Sequence, residues 1–99
     1  MSEEGRGSGE PRPVDLTAFE LKQLLGLFVG ILAEKAWQYM GLRLAPGKEE
    51  AEKDLVKAAA AIDCISFMAD RLVPSLPAEE VAGLRAIVAD LQVNYAKQS

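Results

Sequence analysis

From Leu24 to Ala33 the chain runs ten residues without a polar side chain, bounded by Lys22–Gln23 and Glu34–Lys35. A helix turns 100° per residue, so this stretch points apolar groups in every direction around its axis. An amphipathic helix of a small bundle needs only an apolar stripe. The segment therefore calls for enclosure by the rest of its domain, a second copy, a partner or lipid. Upstream, Thr17-Ala18-Phe19-Glu20 has the form of a capping box, with Leu16 and Leu21 at the positions of a hydrophobic staple. The pattern runs to Met40, where Gly41 supplies a stop, and Ala45-Pro46-Gly47 then makes a turn. A first helix over about 16–40 is predicted.

A second helix is predicted over about 49–73. Glu49, Glu50 and Glu52 would sit in its first turn, where the dipole favours acids. Leu55, Ala58, Ile62, Ile65, Ala69 and Leu72 recur at spacings of three and four, a heptad seam whose alanines allow close approach. Pro74 ends it. The third helix, about 77–97, opens at Pro77 with Glu79 and Glu80 behind it and closes with Lys97. Its seam is Val81, Leu84, Val88, Leu91 and Tyr95, widened by Ile87. Short connections favour antiparallel neighbours, so the expected fold is an all-α, three-helix, up-down-up antiparallel bundle. Residues 15–99 would form its single helical domain. Residues 1–14, rich in Gly, Pro and Ser, read as a disordered tail.

Composition narrows the choice of role. At 99 residues the chain fits one domain with a small core, a size at which oligomerisation commonly supplements stability. The net charge is −4, and the Lys and Arg residues are scattered, with no basic stripe to follow a phosphate backbone. Nucleic acid is not an expected partner. The apolar run is half the length a membrane span requires and has charges on both sides, so lipid contact is disfavoured. The N-terminus has no pattern of a signal peptide, and the single cysteine excludes an intrachain disulfide, which suits a cytoplasmic setting.

Candidate chemistry is sparse. With no histidine, the commonest general base and metal ligand are missing. No catalytic, cofactor-binding or metal site is expected, and the chain does not read as an enzyme. Cys64, beside the second seam, is expected to pack as a small hydrophobe. Asp63 is an acid in an apolar stretch. It is expected at the seam edge or in a structural contact with Lys35 or Tyr39, with a ligand-binding carboxylate as the lesser alternative. The spacing of Glu49, Glu50 and Glu52 matches no calcium loop. Gly26 and Gly30 form Gly-x-x-x-Gly, either an exposed strip or a flat face for another helix. Trp37 suits the core first and an interface second.

Three phrases in order resemble a family of short bacterial proteins known as a domain of unknown function. They are Ala36-Trp37-Gln38-Tyr39-Met40-Gly41-Leu42 before Pro46, then Asp54-Leu55-Val56-Lys57-Ala58 through Ile62-Asp63, then Leu76-Pro77-Ala78-Glu79-Glu80 with Leu91 to Tyr95. Pro77 stands where the family often has a threonine cap. The resemblance covers about residues 15–96. It implies an all-helical bacterial cytoplasmic protein and brings no catalytic residues. The expected role is an accessory or scaffold module that self-associates, first as a dimer, through helix one. The candidate interface is Leu25, Gly26, Phe28, Val29, Gly30, Leu32 and Trp37. An unknown protein partner or peripheral membrane attachment through the same helix are the alternatives.

Overall fold

In the computed structural model, residues 15–99 are described. The predicted tail, residues 1–14, lies outside them. The chain forms α1 (Leu21–Tyr39), α2 (Leu55–Leu72) and α3 (Ala78–Gln98), with single 3₁₀ turns at Leu16–Ala18 and Val73–Ser75. The described residues contain no strand. The three helices and their order are those expected, and α2 packs on both neighbours while α1 and α3 touch least.

Two helix starts differ from the expectation. Thr17 does not cap α1. It sits inside the first 3₁₀ turn, where Asp15 Oδ1 accepts from its amide at 3.1 Å and from its hydroxyl at 2.6 Å. Chain direction resets at Phe19, and α1 begins after Glu20, whose amide donates to Gln23 Oε1 at 2.9 Å, the return half of a capping box. Leu16 and Leu21 are exposed and form no staple. Likewise α2 begins only at Leu55. Asp54 Oδ1 accepts from the Lys57 amide at 3.1 Å, and Glu49, Glu50 and Glu52 stay in the preceding loop. An Asp directly before the first seam residue is the stronger start signal, because its side chain satisfies an orphan amide outright.

The end of α1 is as expected. Gly41 takes φ +80°, the Leu42 amide donates to Trp37 O at 3.1 Å and the Gly41 amide to Gln38 O at 3.0 Å. These two bonds make a Schellman motif, which needs a left-handed residue at Gly41. The loop then returns, and the Asp54 amide donates to Tyr39 O at 2.8 Å, placing the start of α2 against the end of α1.

The core follows the seams. Ala58, Ile62, Ile65, Ala69 and Leu72 of α2 are buried against Val29, Ala36 and Met40 of α1 and Leu84, Val88 and Leu91 of α3. Leu55, Val81 and Tyr95 complete the seams half-buried. Ile87 does not widen the buried face of α3; it is exposed. An Asp70–Arg85 pair at 2.9 Å joins α2 to α3 at the surface, where such a pair adds little.

Candidate functional site

The apolar run of α1 is the feature the fold leaves unresolved. Its inner side is covered: Val29 is buried, and Leu25, Leu32 and Ala33 pack on the core. Its outer side is not. Leu27, Phe28 and Ile31 are exposed, with Leu21 about two turns earlier. Three open grooves surround this half of the helix. One runs along α2 and is lined by Phe28, Ile31, Leu32, Asp63, Cys64, Phe67 and Met68. A second lies under the returning loop at Ala45 and Pro46. A third separates Gly26 and Gly30 from Gly83, Leu84 and Ile87 of α3. The two helices touch little, and this groove leaves the run uncovered on that side.

The candidate interface residues therefore divide. Phe28, Gly26 and Gly30 are exposed. Val29 is core and offers nothing to a partner, which corrects its place among the candidates. Leu25, Leu32 and Trp37 are half-buried and packed inward, Trp37 in the core role expected first. Leu27, Ile31 and Phe67 belong to the exposed face and were not singled out by the pattern. Helix angle does find two of them, since Leu27 and Ile31 project on the same side as Phe28.

A Cβ placed on Gly26 or Gly30 meets no atom within 4 Å. Packing within the chain thus explains neither glycine, and the strip lies open.

The polar candidates act locally. Cys64 is exposed, contrary to the expectation of burial, because it stands one position off the α2 seam and points into the groove beside Phe28. Asp63 is exposed on the same edge. It does not meet Lys35 or Tyr39. Lys35 Nζ lies 4.8 Å from the Tyr39 ring centre and donates to Gln38 Oε1 at 3.1 Å. Lys57 Nζ approaches the same ring at 5.5 Å. Gln38 is the one buried polar side chain among the described residues, and the pattern did not single it out. Its amide nitrogen reaches Glu34 Oε2 at 3.4 Å, and Glu34 also pairs with Arg43 from the loop. This chain of contacts holds the loop onto the last turns of α1, which is why a glutamine tolerates burial there.

Among the described residues no group of three or more His, Cys, Asp or Glu side chains is placed to hold a metal ion. None of the described helices is long and apolar enough to cross a membrane. No curated protein and no solved structure matches the chain. One family does match, over residues 23–97. That span runs from the first turn of α1 to the last turn of α3, and so covers the whole helical unit with its exposed run: the chain belongs to the family described as domain of unknown function DUF1844.

Proposed function

We propose that this protein is a non-enzymatic helical module that self-associates through α1 and serves as an accessory or scaffold subunit in the cytoplasm. One observation carries the reading. The outer face of the apolar run, at Leu27, Phe28 and Ile31, stays exposed although the chain has folded its own seams together. Contiguous exposed apolar surface of this kind marks an interaction site on a folded domain. The lack of histidine, and a groove in which Asp63 and Cys64 are the only ionisable lining residues, support a binding role over a chemical one. Light scattering on the purified protein at micromolar concentration tests the reading. Twice the chain mass is the expected result. A stable monomer, with the α1 amides well protected from hydrogen exchange, would overturn it.

A further inference from the structure

We infer that the occupant of the exposed α1 face is the same face of a second copy, crossing it antiparallel about a two-fold axis between Leu27 and Phe28. This rests on the self-association proposed above and adds its geometry. Glu20, Leu24, Leu27, Phe28, Ile31 and Lys35 fall within an arc of about 100° on the side of α1 away from Val29, with Leu24 and Lys35 half-buried and the other four exposed. Their spacing reads the same from either end: four, three, one, three, four. When two such helices run antiparallel with that centre, Leu24 meets the partner's Ile31 and Leu27 meets the partner's Phe28. The two ends then match in charge, because Glu20 of each copy faces the partner's Lys35, whose ammonium exchanges its bond to Gln38 Oε1 for the partner's carboxylate. A parallel pairing sets Glu20 against Glu20 and Lys35 against Lys35, which is unfavourable at both ends.

The area agrees. Leu21 is 71% exposed, Leu27 and Phe28 are 38%, Ile31 is 53%, and Phe67 across the groove is 61%. At about 200 Å² for a full side chain of this size, the pairing positions Leu27, Phe28 and Ile31 leave roughly 260 Å² of apolar surface per chain, and the flanking Leu21 and Phe67 about as much again. A standard interface covers about 800 Å² per partner, of which about 65% is apolar in homodimers, so it too asks for roughly 500 Å². The contact buries apolar residues at its centre and leaves its charges at the rim, the usual layout of such interfaces. Gly26 and Gly30 line grooves beside Leu27 and Ile31, but they fall outside the arc of the six pairing positions.

Engineered cysteines in a Cys64→Ser background test the register. A disulfide needs Cα atoms about 4.4–6.8 Å apart. Leu27→Cys lies at the axis and is expected to cross-link to itself. Glu20→Cys and Lys35→Cys, fifteen residues or about 22 Å from their own copies in the antiparallel pair, are expected to fail alone and to cross-link when the two variants are co-expressed. Lys35→Glu is expected to weaken the dimer at least tenfold, and Glu20→Lys combined with it to restore most of the loss, with helix content by circular dichroism unchanged. A monomer of the parent chain in light scattering defeats the self-association itself. A dimer in which Glu20→Cys cross-links to itself, or in which none of the three positions cross-links, leaves self-association standing and overturns this geometry alone.

Discussion

Single residues in this fold owe their roles to where they fall relative to a seam, more than to their chemistry. Gly26 and Gly30 are the clearest case. Glycine inside a helix costs up to about 1 kcal/mol relative to alanine, and here a Cβ would meet nothing. Gly26→Ala and Gly30→Ala should each stabilise the protein by up to about 1 kcal/mol in urea titration and leave its oligomeric mass unchanged. Loss of the dimer would place the glycines in the interface instead. Asp15 is a second local case. The Thr17 hydroxyl, and then its amide, hold the Asp15 carboxyl below its ordinary 3.8. A lowered folded value means that the 3₁₀ turn gains stability from the ionised form above about 3.8, and loses it as pH falls through the lowered value. The Thr17 amide resonance should therefore titrate below pH 3.8, and Thr17→Val should move that midpoint back upward.

At the scale of elements, the seams were legible and the helix starts were not. A heptad pattern such as Leu55–Leu72 repeats its signal five times over, so each position confirms the others. A helix start depends on one side chain bonding one amide, and two neighbouring candidates compete for it. Asp54 prevails over Glu49–Glu52 because its carboxylate reaches the Lys57 amide, whereas the acids further back only favour a dipole. Asp54→Ala should cost about 1 kcal/mol in chemical denaturation, while Glu49→Gln with Glu50→Gln should change stability by less than about 0.5 kcal/mol. The same logic explains Cys64. Its neighbours Ile62 and Ile65 are buried, but a step of one residue rotates the side chain 100° away, out of the core. The exposed α1 face was half legible. Composition announced that the run lacked a polar side, but only the tertiary packing of α2 and α3 decides which side stays open. For α1 itself, Phe28→Asp with Ile31→Asp should yield a monomer of unchanged helix content, since both side chains already face outward.

The whole molecule is short of interior. Among the described residues only eight buried apolar side chains are larger than alanine, while twelve large apolar side chains are exposed. An ordinary domain surface also carries scattered apolar groups, so the number alone proves little. What matters is that Leu27, Phe28 and Ile31 lie together on α1, with Phe67 of α2 across one groove from Phe28 and Ile31. A small core of this kind gives marginal stability, and a contact between copies would supply part of what is missing. Folding and association are then linked, because the unfolded chain makes no such contact. For a folded dimer that dissociates as it unfolds, a hundredfold rise in protein concentration adds RT ln 100, about 2.7 kcal/mol per dimer. In a unit of this combined size that corresponds to a rise in Tm of roughly 5–10 °C. Calorimetry between about 5 and 500 μM should show this shift for the parent chain and lose it for the Phe28→Asp, Ile31→Asp variant. A Tm independent of concentration in both would mean that the folded chain is complete alone, and that its apolar face contributes nothing to its own stability.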